Sequence, residues 1–134
     1  MDKLIIMFIL LTGTLYDVVT TIYGTINLLG ISPYGIVAGV VFGIIVGGMM
    51  YYSREVHTMP VDGFPVLVKP LWLLAAIYDY YTSFMGNNDF FIHATVRSDN
   101  WHSIAILCGL SLFVCSCPIM WSYIRTHPRF LDMN

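Results

Sequence analysis

Four apolar stretches separated by short polar segments set the organisation of this 134-residue chain. They cover residues 4–24, 34–52, 66–86 and 103–123. Each is close to the roughly 20 helical residues that cross about 30 Å of hydrocarbon. Little chain remains for a soluble domain. We therefore predict an all-α polytopic membrane protein, with four transmembrane helices forming a single domain over residues 1–134.

The composition favours the same class of protein. Hydrophobic residues make up 57% of the chain, charged residues only 10%, and the mean hydropathy is +0.75. Soluble domains usually contain about 25% charged residues. No small-residue cleavage site follows the first apolar stretch, so we interpret it as a membrane span rather than a secretory signal. The lipid bilayer is the expected partner, and a net charge of −2 indicates no nucleic-acid partner.

Basic residues are unequally distributed between the two sides of the predicted bundle. One side would hold Lys3, Arg54, Lys69, Arg125 and Arg129, and the opposite side only Arg97. Cytoplasmic segments of membrane proteins carry an excess of Lys and Arg. We therefore predict that both termini and the connection between the second and third spans are cytoplasmic, in a cytoplasmic or inner membrane.

Two of the apolar stretches contain the same motif, 62 residues apart. Tyr-Asp-x-x-Thr-(Thr/Ser)-x-x-Gly occurs at residues 16–24 and again at 78–86. The repeat predicts two tandem helical hairpins, about 1–62 and 63–134, whose motif helices both run outward. This is a parallel internal repeat, with its pseudo-two-fold axis along the membrane normal. Polar turns are expected after each motif, over residues 27–33 and 87–100.

Each motif places a carboxylate inside an apolar segment. A charged side chain at the centre of a membrane helix costs roughly 2.5–3.5 kcal/mol on insertion scales. No basic residue lies at the predicted depth of Asp17 or Asp79. The basic residues of the same two stretches, Lys3 and Lys69, lie at the cytoplasmic edges. The charge must be met by a proton, a bound cation or water in a polar cavity.

Hydroxyl side chains share the helix face of each acid, since residues three and four apart lie on one side of a helix. Their oxygens can bind a monovalent cation or hydrogen-bond to a permeating one. Protonated acids and hydroxyls can equally well join helices as a structural contact. Both interpretations remain open. The predicted ion or proton site comprises Asp17, Thr20, Thr21, Asp79, Thr82 and Ser83.

The second span carries glycine at every fourth position: Gly35, Gly39, Gly43 and Gly47. Such a stripe lets another helix approach closely. Packing within the chain and contact between subunits, including around a pore, both explain it. Because contact between subunits is one of these explanations, we predict a homo-oligomer or a subunit of a membrane complex.

The predicted outer loop contains candidate metal ligands, Asp89, His93 and His102. Asp89 and His93 would share a helix face, and His102 could fold back to complete a divalent metal site. Over these residues only, the acid-x3-His spacing resembles that of membrane copper monooxygenase C subunits, which bind metal. The three cysteines lie in the fourth span, and we interpret them as packing residues, because Cys115 and Cys117 point to different faces.

These patterns favour a small oligomeric cation or proton channel or carrier that uses the paired intramembrane acids. An accessory or structural subunit of a larger membrane complex is the first alternative, and a metal-binding membrane enzyme subunit is the second. No hydrolase nucleophile, phosphate loop or nucleotide motif is present in the sequence. Catalysis is therefore less expected than transport, and no cofactor beyond a bound cation is implied.

Overall fold

The computed structural model describes residues 3–60, 65–95 and 101–127, and all regular structure within these ranges is helical. Three of the helices are long and apolar enough to cross a membrane, namely α1, α2 and α5. The predicted all-α class and membrane character are confirmed. The helix bounds are α1 Lys3–Leu29, α2 Pro33–Tyr51, α3 Ser53–Thr58, α4 Pro65–Thr95 and α5 Trp101–Arg125.

Helix α4 is long enough to span a bilayer, at 31 residues, but its composition is mixed. Lys69, Asp79 and a series of tyrosines and asparagines lower its hydropathy below that of the other long helices. Composition alone therefore marks three spans among the described residues, and the fourth stays a prediction.

Local sequence explains how α2 begins and ends. The Ser32 side chain accepts a hydrogen bond of 3.0 Å from the Gly35 backbone N–H, and Pro33 occupies the first turn. Gly30 precedes it with a positive φ of 89°, a conformation that glycine adopts without steric cost. At the other end Tyr52 interrupts the helix, and the chain continues as the short helix α3, which sequence reasoning did not predict.

Helices α1 and α4 extend beyond their predicted ends. Polar turns were expected to start at Asn27 and Asn87, yet α1 continues to Leu29 and α4 to Thr95. The Asn27 amide donates a 2.6 Å hydrogen bond to Asp89 Oδ2, and the Asn87 amide donates one of 3.0 Å to Ser111 Oγ. Because neighbouring helices satisfy these side chains, the asparagines do not compete for the local backbone as they do in turns.

The bundle is polar inside and apolar outside. Leu4, Phe8 and Ile106 are among many large apolar side chains on the outer surface, each at least 70% exposed. A soluble domain has the opposite arrangement. An apolar exterior fits lipid, whereas polar groups in a membrane face the bundle interior. In the described part of the chain eleven polar residues are at most 1% exposed: Asp17, Thr20, Thr21, Thr25, Ser53, Asp79, Thr82, Ser83, Asn87, Ser111 and Ser122.

The glycine stripe of α2 packs against α1 of the same chain. A Cβ added to Gly39 would lie 2.6 Å from Ile26 Cγ1, and one added to Gly47 would lie 3.0 Å from Val18 Cγ2. Gly43 faces Ile22 between them. The two helices therefore run antiparallel, and three of the four predicted glycines are accounted for without a second copy. Gly35 instead borders the carbonyl of Gly30, and the homo-oligomer stays a prediction.

Helix α2 is also antiparallel to α4. The rings of Phe42 and Tyr78 are 6.0 Å apart, and further along α2 Met50 packs in a cluster with Ala75 and Trp72. Since α2 is antiparallel to both α1 and α4, those two helices are parallel to each other. They begin at the same end of the bundle.

Helix α3 closes that end of the bundle. The Arg54 backbone N–H donates a hydrogen bond of 2.9 Å to Ser122 Oγ near the end of α5. Glu55 forms an ion pair with Arg125, whose guanidinium also lies over the rings of Tyr51 and Tyr52. These contacts tie the C-terminal part of α5 to the connection between α2 and α4.

Replacing Gly43 by alanine should destabilise the protein by about 1–3 kcal/mol, since the added methyl group overpacks the contact with Ile22. Gly48→Ala is the matched control, because a Cβ there meets no atom within 4 Å. Thermal unfolding in detergent would measure both. Equal midpoints for the two variants would contradict the packing of the stripe on α1.

Candidate functional site

The two predicted acids lie side by side between α1 and α4. Asp17 is 0% exposed and Asp79 is 1% exposed. One carboxylate oxygen of each acid lies within 4.8 Å of the other and of the Cys115 sulfur. The pair that the repeat predicted is thus formed within one chain, and it needs no second copy.

Hydroxyl groups bind one oxygen of each acid. Thr21 Oγ1 donates a hydrogen bond of 2.6 Å to Asp79 Oδ1, and Ser83 Oγ donates one of 3.1 Å to Asp17 Oδ1. Thr20 Oγ1 lies 2.9 Å from the Ser83 hydroxyl. Each helix therefore supplies a hydroxyl to the acid of the other helix.

Thr82 directs its hydroxyl at its own helix, as Thr20 does with the carbonyls of Tyr16 and Asp17 at 3.2 and 2.9 Å. The Thr82 side chain donates to the backbone carbonyls of Tyr78 and Asp79, at 2.9 and 3.1 Å, rather than to either carboxylate. Its own carbonyl lies against Gly24. Thr82 thus belongs to the packing of the site rather than to its polar contacts.

Among the described residues, the second oxygen of each acid is buried without a hydrogen-bond partner. This is the case for both Asp17 Oδ2 and Asp79 Oδ2. Within residues 3–60, 65–95 and 101–127, Glu55 forms an ion pair with Arg125, but neither Asp17 nor Asp79 forms one. Burying an isolated ionised carboxylate is very costly, and two adjacent ones repel each other. The pair must therefore hold a proton or a cation.

Several contacts between α1 and α4 occur in pairs: a residue of α1 contacts a residue of α4, and the equivalent residues of the repeat, 62 positions apart, make the same contact in the opposite direction. Thr21 and Ser83 are equivalent positions of the repeat, as are Asp17 and Asp79. The hydrogen bond from Thr21 to Asp79 is therefore the counterpart of the one from Ser83 to Asp17. The close backbone approaches behave in the same way. Gly24 lies against Thr82, and Gly86 lies against Thr20, where an added Cβ would be 2.9 Å from the carbonyl oxygen.

Two further hydrogen bonds flank the acids and form another such pair. The Tyr16 hydroxyl donates to Asn87 Oδ1 at 2.7 Å, and the Tyr78 hydroxyl lies 2.7 Å from Thr25 Oγ1. Positions 16 and 78 are 62 residues apart, as are 25 and 87. The polar interface therefore extends well beyond the two acids, on both sides of them.

Cys115 is the site residue that sequence reasoning missed. It lies on α5, is 9% exposed, and its sulfur shares the 4.8 Å cluster with the two acids. Nothing in the helical spacing of α5 relates it to residues on other helices, so only the tertiary structure identifies it. Cys117 does match the packing interpretation, because it is fully buried against Gly13. All three cysteines are free thiols.

The predicted outer metal ligands are described only in part. Asp89 is partly buried and accepts the hydrogen bond from Asn27, and His102 is exposed in the first turn of α5. The side chain of His93 lies outside the described part of the chain. A divalent metal site at Asp89, His93 and His102 therefore stays a prediction.

No family model, curated protein or solved structure matches this chain. Its function is therefore inferred from the geometry of the site.

The hydrogen bond from Thr21 to Asp79 can be tested by the isosteric change Thr21→Val. We expect a loss of about 1–3 kcal/mol, because a buried carboxylate oxygen is left without its donor. Thr12→Val, an exposed position on the same helix, is the matched control and should have little effect. Thermal unfolding in detergent would compare the two. Similar destabilisation by both variants would argue against the contact.

Proposed function

We propose that this small integral membrane protein is a carrier of protons or other cations, and that Asp17 and Asp79 form its binding site. One observation carries the proposal: both carboxylates are fully enclosed, and each keeps one oxygen without a donor. Acids at membrane depth are costly and are typically found on ion and proton pathways. A single proton or cation between the two carboxylates would remove both their repulsion and their unsatisfied oxygens.

Enclosure favours a carrier over an open channel. A channel needs a continuous polar path, whereas these acids are at most 1% exposed. The described surface cavity near Tyr16 is lined mainly by apolar side chains such as Phe8 and Phe113, and neither acid lines it. The geometry corresponds to an occluded state, from which the helices must separate to release the bound ion.

We further propose that α4 crosses the membrane together with the other three long helices. Asp79 and Ser83 contact the middle of α1, a helix that is itself apolar enough to span. Residues in direct contact lie at the same depth, so α4 must enter the membrane as far as α1 does. The chain would then form two tandem hairpins, about 1–62 and 63–134. The paired contacts between α1 and α4 support this repeat.

A structural role is the second candidate. The hydroxyl donors and the lack of exposure would also describe a clasp that holds two hairpins together, as protonated acids do between membrane helices. Such a protein would serve as an accessory subunit of a larger complex. It would have no transport activity of its own.

Ion flux into proteoliposomes distinguishes these two functions. We expect the purified wild-type protein to move protons or cations, and Asp17→Asn or Asp79→Asn to lower the flux by about tenfold or more, because each change removes an acid of the proposed pathway. The amide keeps the shape of the side chain but cannot exchange a proton or carry the charge. Dyes for pH and for metal ions inside the vesicles would record the flux.

The control for this experiment is Asp62→Asn, the same chemical change in the connection between α3 and α4, which should retain flux. Unchanged flux in the Asp17→Asn, Asp79→Asn double variant would remove the pair from any pathway. A wild-type protein that moves no ion would favour the clasp.

The crossing of α4 can be tested with a membrane-impermeant thiol reagent. Thr58→Cys precedes α4 and His102→Cys follows it, and both positions are exposed. If α4 spans the bilayer, the two cysteines should react from opposite sides of intact vesicles. The wild-type chain, whose native cysteines lie within α5, measures the background. Labelling of both positions from one side would exclude the crossing.

A further inference from the structure

We propose that Asp17, Asp79 and Cys115 together bind a thiophilic divalent metal ion of the Zn²⁺ class. This inference rests on the proposed use of the acid pair as a cation site, and it names the class of cation. The ligands would be one oxygen from each carboxylate and the Cys115 sulfur, contributed by α1, α4 and α5 respectively. Three packed helices would thus each supply one ligand.

The spacing of the three atoms suits an ion of this size. They lie within 4.8 Å of one another. Around a tetrahedral zinc ion, with bonds of about 2.0–2.3 Å, ligand atoms are separated by roughly 3.3–3.8 Å. Contraction by about 1 Å, through side-chain rotation, would close the three atoms onto the ion.

Hydrogen bonds already orient the two carboxylates for metal binding. Thr21 and Ser83 donate to the Oδ1 atoms of Asp79 and Asp17. The Oδ2 atoms are left buried and without a partner. Metal-binding carboxylates commonly have this arrangement, in which one oxygen is fixed by a neighbouring donor and another is available to the ion.

The mixed ligand set selects the class of metal. Thiolate sulfur is soft and favours Zn²⁺ and related ions, whereas Mg²⁺ and Ca²⁺ require six to eight oxygen ligands. An alkali cation gains little from a sulfur atom. The Cys115 sulfur therefore gives this site a preference for thiophilic ions over monovalent ions, Mg²⁺ and Ca²⁺.

Charge balance predicts an exchange of protons for the metal ion. Before binding, the two acids share one proton and the thiol is protonated, so the buried site carries one negative charge. Binding of one divalent ion releases the shared proton and the thiol proton, leaving a thiolate and two carboxylates around two positive charges. The net charge of the site is then unchanged, which limits the cost of burial. Two protons would leave for each metal ion that enters.

Titration of the purified full-length protein with Cd²⁺, a spectroscopic substitute for Zn²⁺, tests the site directly. We expect one ion per chain, an ultraviolet charge-transfer band from sulfur to cadmium, and about two protons released per ion in weakly buffered detergent solution, because thiolate ligation requires deprotonation. Mg²⁺ should not compete. Binding without the charge-transfer band, or without proton release, would contradict ligation by Cys115.

Cys115→Ser and Cys108→Ser form a matched pair of variants on α5. Loss of an outer hydrogen bond alone commonly lowers metal affinity about 10–100-fold, so removal of the Cys115 sulfur should cost at least as much. Cys108→Ser should bind as the wild type does, since Cys108 is not part of the cluster. Equal Cd²⁺ affinity in both variants would overturn the proposal.

The outcomes also separate this inference from the transport proposal. Absence of Cd²⁺ binding, together with proton or alkali-ion flux that depends on Asp17 and Asp79, would overturn the metal site and leave the carrier in place. Cd²⁺ binding that depends on all three ligands, without flux of any ion, would establish the metal site and overturn the carrier.

Discussion

The need to neutralise two adjacent carboxylates in an apolar environment determines how this bundle is built. Asp17 and Asp79 are both enclosed, so neither faces lipid or bulk water. Hydrogen bonds from Thr21 and Ser83 satisfy only half of the carboxylate oxygens. The remaining oxygens are satisfied by a proton or a cation, and the stability of the α1–α4 interface is therefore linked to what the site binds. Occupancy of the site and the association of the two helices are thermodynamically coupled.

The glycines of the motif make these polar contacts possible. Hydroxyl side chains are short, so Thr21 can reach Asp79 only if the helix backbones are close together. Gly24 and Gly86 allow this approach, because each places its Cα directly against the backbone of the other helix. An added methyl group at Gly24 would meet the carbonyl of Thr82 rather than a movable side chain. The acid, the hydroxyl and the glycine of each motif consequently form one structural unit, in which each contact depends on the close approach of the two helices.

Sequence reasoning could predict whatever depends on the periodicity of a single helix. It located the acids, placed Thr21 and Ser83 on the same faces, and identified the glycine positions, because helical spacing fixes these relations. It could not assign Cys115 to the acids, since that contact depends on how α5 packs on α1 and α4. For the same reason the ends of α1 and α4 were predicted too early: Asn27 and Asn87 are polar in sequence but have partners on other helices. The backbone-directed hydroxyl of Thr82 was equally inaccessible, because the face of a residue does not determine its rotamer.

Helices α1 and α4 contribute equivalent residues to the site, whereas Cys115 of α5 has no equivalent in the first half of the chain. The acids, hydroxyls and glycines of α1 each have a counterpart on α4, whereas all three cysteines of the chain lie in α5, and the first half contains none. A proton shared by two equivalent acids would need no such difference between the halves. A metal ion does benefit from it, because one sulfur added to two oxygens gives three ligands of mixed softness. The asymmetry is a feature that the proposed metal site would use and a proton-sharing clasp would not, and it arises in the helix that the repeated motif does not include.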